Sequence, residues 1–392
     1  MTQNNQTLRV LDVFAGAGGF SLGFELAGCK VVGGIEVDSW AAETFQSNHP
    51  DAKVIVRNIK EITNREIREN YKGIDILLGA PPCQGFSICN KNAGDPKDPR
   101  NSLFTEMIRL AKVLLPKVLI IENVPNLLKA KTEKEEKVIE IICSELKQLG
   151  YYVSYDVLDA TSFGVTQIRK KLFVIASKVE LKNPFPRPTH TVYGGENELS
   201  ITPTLWEAIS DLPDIEAREW AEIMDYTKPL QNEYQLALRN GSDKVYNHKA
   251  MMHSKRTVER FSHMECGQSI NDVPEHLMPL KRNGNGVLSK KAFDQNSRRM
   301  YPHKQCHTIP ASIYASFVHP FKNRNFTCRE GAKIQSFPCW YVVKGKPTVV
   351  STKLLEKEGR EEEKHLCQYN QIGNAVPPLL AKAIAQNLLK EI

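Results

Sequence analysis

Several short stretches pair reactive residue types with neighbours that would expose them. In Gly79-Ala-Pro-Pro-Cys83-Gln-Gly-Phe-Ser87 a thiol sits between paired prolines and a Gln-Gly step. A free cysteine is more often an inert core residue. Pro-Pro and Gln-Gly, however, suit neither a buried helix nor a central strand, so Cys83 is expected to be exposed and available as a nucleophile. Glu122-Asn-Val-Pro125 places a carboxylate at the end of an apolar run. Alone it reads as a cap or loop anchor, but facing the same crevice as Cys83 it makes a nucleophile and acid pairing. Asp12-Val-Phe-Ala-Gly-Ala-Gly-Gly-Phe-Ser21 is a glycine-rich turn between an apolar run and a helical pattern. Its backbone can turn tightly and approach a ligand, although its spacing is not G-x-G-x-x-G and a purely structural turn is the alternative. Glu36 closes the next apolar run, where a carboxylate can accept hydrogen bonds from both ribose hydroxyls of an adenosine ligand. Gln167-Ile-Arg169-Lys-Lys171 and Asn370-Gln-Ile-Gly-Asn374-Ala-Val-Pro-Pro378 complete the set.

These residues fall at the ends of regular elements. Apolar, β-rich runs at 8–14, 31–36, 54–56, 74–78, 118–122, 152–158 and 172–176 alternate with helical patterns at 18–27, 39–47, 103–114 and 133–149. Strands separated by helices of this length predict a parallel, doubly wound sheet, with ligands beyond the C-terminal strand ends. The alternation fails at Asn183-Pro-Phe-Pro-Arg-Pro188, where prolines at every second position block helix and central strand alike. From Thr189 to about Lys364 periodicity is weak, and 353–364 is charged and expected to be exposed. Helical character returns at 378–392.

Composition narrows the class. With 392 residues, 41% hydrophobic and 25% charged, the chain is long enough for two globular domains. The first seven residues carry no basic or apolar leader and no apolar run approaches the roughly 18 residues of a membrane span, so a soluble intracellular protein is expected. Nine cysteines without paired spacing argue against a disulfide framework or structural zinc. Between Arg239 and Lys304 there are thirteen Lys/Arg against six Asp/Glu, an excess equal to the whole chain's net charge of +7. Such a segment suits a polyanion through counterion release, or forms a solvated basic surface.

In this order the blocks resemble the DNA cytosine-5 methyltransferase family, most closely its compact bacterial restriction-modification members. Phe326-Thr-Cys-Arg-Glu-Gly-Ala-Lys-Ile-Gln-Ser-Phe-Pro338 is similar to the family's penultimate block. The resemblance implies an α/β, Rossmann-like S-adenosylmethionine-dependent methyltransferase fold, with a doubly wound, mostly parallel sheet and a smaller, irregular target recognition domain. It implies a catalytic domain over 1–187, completed by 366–392, and a recognition domain over 188–365 that includes 326–338. Cys83 would be the nucleophile and Glu122 the partner of cytosine N3, with Arg169 or Lys171 at cytosine O2. Phe14, Gly16, Gly18, Glu36, Val37, Asn58, Ile59, Pro81, Leu103, Asn374 and Val376 fall where cofactor contacts would lie. DNA would meet Gln84, Ser87, Arg100, Arg282, Asn283 and Thr308, the last in place of a Thr-Leu-like dipeptide. Lys171 stands where the family usually has a second arginine, and lysine cannot make a planar bidentate contact. Asn58 stands where aspartate is frequent.

The chemistry this implies begins with a thiolate adding at cytosine C6, which turns C5 into an enamine carbon. Glu122 at N3 would absorb the released electron density, a task that calls for a carboxyl raised by burial. The C5 carbon then takes the sulfonium methyl, S-adenosylhomocysteine leaves, and loss of the C5 proton expels Cys83. The base must first be flipped out of the duplex by about 180°, and the 84–100 loop is expected to close over it. Arg282-Asn-Gly-Asn-Gly286 is the candidate groove-entering loop, with an ordinary glycine turn as the alternative. The implied partners are double-stranded DNA and a separately acting restriction endonuclease, for a monomeric cytoplasmic protein working at the nucleoid, with no metal. Two rivals are a tRNA cytosine methyltransferase, although its Cys-Phe-Thr element is not found, and a catalytically silent DNA-binding homologue. Amino-group methyltransferases need no thiol, and Cys83 argues against them.

Overall fold

The protein is represented by a computed structural model that describes residues 7–82, 103–132, 135–194, 199–281, 286–289, 297–348, 352–360 and 364–392. Its centre is a seven-stranded sheet formed by β1 (Arg9–Val13), β2 (Lys30–Glu36), β3 (Lys53–Val56), β4 (Ile76–Gly79), β5 (Val118–Asn123), β6 (Tyr152–Asp159) and β7 (Lys170–Ser177), in the order β3-β2-β1-β4-β5-β7-β6. Five strands run parallel from β3 to β5, and β7 is inserted antiparallel between β5 and β6. The expected strands are all present within a few residues. The reversal that puts β7 inside β6 is the feature that the alternation of elements does not encode.

Both faces of the sheet are covered, which explains the nearly continuous apolar runs in β4, β5 and β7. The helices are α1 (Gly19–Glu25), α2 (Ser39–Asn48), α3 (Asn64–Asn70), α4 (Phe104–Leu114), α5 (Val138–Gln148), α6 (Leu205–Ile209), α7 (Glu233–Arg239), α8 (Lys255–Ser262), α9 (Ile313–Ser316), α10 (Cys328–Ile334), α11 (Thr352–Glu358), α12 (Gln368–Asn374) and α13 (Pro378–Glu391). Ile67, Leu110, Ile142 and Leu146 of α3 to α5 pack on one face with Leu11, Leu77 and Leu119 of the sheet. Phe20 and Phe24 of α1, with Leu380, Ile384 and Leu388 of α13, pack on the other against Val10, Leu78 and Ile120. The proline stretch that ends the first half is tied down at its start, where Asn387 Nδ2 donates to Asn183 O at 2.6 Å.

Residues 199–344 build short elements rather than one sheet: pairs such as Ile223–Asp225 with Lys244–Tyr246, and the short helices α6 to α10. Their core contains Leu205, Ile209, Phe326, Phe337 and Tyr341, and it takes in Leu22 of α1. The 326–344 segment, assigned from sequence to the recognition region, therefore has two neighbours. Tyr234 of α7 donates to Lys333 O at 2.7 Å, while Asn48 at the end of α2 donates to Val342 O at 2.8 Å. The charged stretch begins with α11, and beyond it the chain meets the start of α2 at Leu366, whose N–H donates to Asp38 Oδ2 at 2.7 Å.

Candidate active site

The sheet order reverses direction between β1 and β4, and the crevice beyond their C-terminal ends is where a doubly wound sheet binds ligands. Phe14, the first residue past β1, has φ 60°, a left-handed conformation that a bulky side chain adopts only when its surroundings impose it. Gly16 follows with φ 53°, and a Cβ built there meets nothing within 4 Å, so this part of the turn faces open space. Its N–H donates to Glu36 Oε2 at 2.8 Å, while Glu36 Oε1 accepts from the N–H groups of Val37 at 2.7 Å and Asp38 at 2.9 Å. Three of the roughly four acceptor positions of the carboxylate are thereby filled. One acceptor position, on Oε2, is left facing the crevice. Burial raises the Glu36 carboxyl, and these N–H groups pull it back.

Other expected contacts divide by where their side chains point. Val37 is exposed beside Glu36, and Asn58, also exposed, caps a short turn by accepting from Lys60 N at 3.1 Å. Asn374 is exposed at the end of α12, and Leu103 is half-buried before α4. Pro81 is buried after β4, Val376 is buried against Gly19, and the Ile59 side chain belongs to the core under α4. Gly18 is small for packing: a Cβ there would lie 2.6 Å from Tyr341 Oη and 3.0 Å from the Phe45 ring. Beneath the turn, Asp12 accepts from Ser21 Oγ at 2.6 Å. Burial pushes its carboxyl up to about 7 against that hydrogen bond. Asp12 opens the glycine-rich motif, but its bracing of α1 depends on packing that the motif does not spell out.

At the end of β5, Glu122 is buried, and Lys171 Nζ stands 2.6 Å from its Oε1. The antiparallel register explains the pair. Glu122 lies opposite Phe173 of β7, so Lys171 is its diagonal cross-strand neighbour, within reach of a long side chain. Burial of Glu122 was expected, and the departure from arginine at 171 supplies its cation. The neighbouring Asn123 donates from Nδ2 to Pro81 O at 3.4 Å and accepts from Val124 N at 2.9 Å. It ties the end of β5 to the peptide that leads into Cys83, a role that sequence reasoning missed because its partner is forty residues distant by chain and adjacent only in the sheet.

Arg169 is placed differently. Its guanidinium donates to Ile309 O and to Gly373 O, both at 2.9 Å. Gln167, fully buried, accepts from Ile309 N at 2.6 Å and donates to Gln335 Oε1 at 2.8 Å, and Gln335 donates to Ile372 O at 2.9 Å. Thr308 is exposed, but its hydroxyl donates to Ile168 O at 2.6 Å. Gln-x-Arg is therefore a buried knot joining the start of β7, the 306–309 segment, α10 and α12. Of the two cations considered for one role, only Lys171 meets the β5 carboxylate. Cys83, Gln84, Ser87, Arg100, Arg282 and Asn283 lie outside the described residues, as does the 84–100 loop.

A doubly wound α/β enzyme with an open glycine turn, a strand-end carboxylate and a buried acid-cation pair is the class that this site defines. The family profile of C-5 cytosine-specific DNA methylases matches residues 8–390, and the chain belongs to that family: it is a DNA cytosine-5 methyltransferase. It is 43% identical over 381 residues to the type II methyltransferase M.DdeI of Desulfomicrobium norvegicum, covering 97% of this chain and 88% of that one. It is 32% identical to M1.HphI of Haemophilus parahaemolyticus, over 98% of this chain and 87% of the relative. Among solved structures, a prophage-encoded protein of E. coli, proposed to be a DNA modification methyltransferase, superposes with TM-score 0.73 at 23% identity, covering 98% of this chain and 99% of its own. At that identity the superposition speaks to the fold alone.

Proposed function

We propose that this enzyme methylates C5 of cytosine within one short double-stranded DNA sequence, as the protective methylase of a restriction-modification system, through a covalent Cys83–C6 adduct. The observation that carries the reading is the Glu122–Lys171 pair, 2.6 Å apart at the β5 end, tied through Asn123 to Pro81, two residues before Cys83. S-adenosylmethionine fits the β1–β2 end: open space over Gly16, a carboxylate with one free acceptor, exposed apolar Val37 and an exposed amide at Asn58 suit an adenosine. When bound, it supplies the sulfonium methyl and leaves as S-adenosylhomocysteine.

The chain's own residues would do the rest. The Cys83 thiolate adds to C6 of a flipped base, after an unstacking cost of about a few kcal/mol. With the base in place, Glu122 carries a proton towards N3 and Lys171 meets the O2 carbonyl, so the negative charge that addition drives onto N3 and O2 is met by a donor and a cation. After methyl transfer a water molecule takes the C5 proton, the C5=C6 bond re-forms, and the C6–S bond breaks with its electron pair returning to Cys83 as thiolate. The type II names of the relatives favour a restriction-modification role, with an endonuclease of the same specificity acting separately on DNA in the bacterial cytoplasm. Labelled methyl transfer to mixed genomic DNA and to total tRNA, with Cys83→Ser in parallel and bisulfite sequencing, tests the proposal. Cysteine-dependent label at C5 within one motif is expected. Label in tRNA alone, or none, would refute it.

A further inference from the structure

The glycine turn is anchored from beneath by a residue that belongs to none of the site's motifs. Tyr341 is fully buried, and its hydroxyl donates to Ala17 O, inside the turn. Burial holds this phenol well above its ordinary range, so it is a neutral donor throughout the working pH range. Its backbone is fixed on both sides. Val342 N donates to Asn48 Oδ1 at 3.0 Å and Lys344 N to Thr44 Oγ1 at 2.8 Å, both on α2, while Arg329 of α10 donates to Tyr341 O at 2.7 Å. The ring lies against Phe337 with centroids 5.1 Å apart, and its oxygen fills the space that a side chain on Gly18 would occupy, 2.6 Å from that Cβ position. The turn is thus held at two points: Glu36 fixes Gly16 N from the crevice side at 2.8 Å, and Tyr341 fixes the Ala17 carbonyl from the core side.

We propose that Tyr341 is a positioning residue for the cofactor: its hydroxyl sets the orientation of the 16–18 turn and so the affinity for S-adenosylmethionine, without touching ligand or base. The inference rests on the reading of this turn as the S-adenosylmethionine site. Tyr341→Phe keeps the ring and removes one oxygen, leaving Ala17 O buried without its donor. A loss of that kind corresponds to a change on the order of tenfold in the affinity that the turn supports.

The test is calorimetric binding of S-adenosylhomocysteine to wild type, Tyr341→Phe and Tyr151→Phe, with steady-state kinetics and thermal midpoints for all three. Tyr151 is the control, a buried tyrosine whose hydroxyl donates to Pro116 O at 2.8 Å at the far edge of the sheet. Expected are a roughly tenfold weaker Kd and a raised KM for S-adenosylmethionine in Tyr341→Phe with kcat nearly unchanged, and an unaltered Kd in Tyr151→Phe. If Tyr341→Phe lowers the midpoint as the control does but binds within twofold of wild type, the tyrosine serves only the fold and the inference is overturned. If the wild type itself binds no S-adenosylhomocysteine, the reading of the turn fails first, and the inference with it.

Discussion

Two cations two residues apart in one motif have separate fates, and the difference is testable at single side chains. Lys171 pairs with Glu122 at 2.6 Å, while Arg169 spends its guanidinium on the carbonyls of Ile309 and Gly373. Lys171→Met leaves a buried carboxylate without its counter-charge and removes a donor from the proposed base site. Its kcat is expected to fall by on the order of 10²–10³ with cofactor affinity preserved. Lys171→Arg keeps the charge and restores much of the rate. Arg169→Met instead strands two buried carbonyls, lowering stability to urea by about 3 kcal/mol. Single-turnover methylation alongside urea denaturation separates the two. A loss of rate in Arg169→Met with full stability would return that residue to the chemistry. The sequence could name both residues, because charged types at fixed spacing near a strand are visible there. It could not choose between them, since the choice depends on β7 running antiparallel beside β5. Tyr341 and Asn123 were invisible for a related reason: their partners, Ala17 O and Pro81 O, are backbone atoms that carry no side-chain signature.

At the level of elements, the short elements of 199–344 are organised around α10, whose N-terminus is a capping box from Thr327 to Glu330. Glu330 also receives two bonds from Arg324, at 2.8 and 2.7 Å, and two buried histidines face the same group. His248 has Nδ1 2.9 Å from Thr327 Oγ1 and Nε2 2.9 Å from Pro213 O, and burial lowers it to about 4, while His319 is lowered to about 3. Both are neutral in the fold. An unfolded histidine takes a proton near pH 6.5, so between about 6.5 and 4 the unfolded chain binds more protons and stability falls with pH. Asp12, raised to about 7, works in the opposite direction by holding its proton in the fold, so the histidine contribution is best read as a difference. His248→Gln keeps a donor and an acceptor but cannot titrate. Its stability is expected to fall less steeply than that of wild type, by about 1.4 kcal/mol per pH unit, when urea midpoints are followed from pH 6.5 to 4.5. Parallel slopes would show that His248 is already protonated in the fold. The capping boxes of Thr327 at α10, Thr63 at α3 and Thr204 at α6 went unread in the sequence, because these helices are too short for the periodic apolar pattern that would have marked them. The long strands and helices of the first half were legible because each is one run of apolar or amphipathic residues. The middle of the chain was not, because its core is assembled from single residues on many short elements.

At the scale of the whole molecule, the N-terminal and C-terminal parts of the chain pack together where α1 crosses α13. Pro378–Glu391 had a helical pattern in the sequence, but its docking site did not, since Gly23 of α1 presents nothing but backbone. A Cβ placed on Gly23 would collide with Ala381 and with the Pro378 carbonyl and Lys382 amide of α13. Backbone atoms of a packed helix yield far less readily than a flexible side chain, so the two helices would have to separate. In an exposed helix, Gly→Ala is stabilising by about 1 kcal/mol, because alanine loses less backbone entropy on folding. At Gly23 the sign must reverse: Gly23→Ala is expected to cost about 2–3 kcal/mol, as overpacking does where neither neighbour can move. The same separation would shift 374–376, which enters α13 through Pro377 and carries the exposed Asn374 and the buried Val376 that lies against Gly19. Weaker S-adenosylhomocysteine binding should therefore accompany the lower thermal midpoint, with binding restored in part when Ala381→Gly is added to make room for the new methyl. A Gly23→Ala protein that melts at or above the wild-type midpoint would mean that α1 and α13 do not cross at Gly23. A midpoint that falls without any change in binding would mean that the crossing holds the lobe together but does not set the position of 374–376.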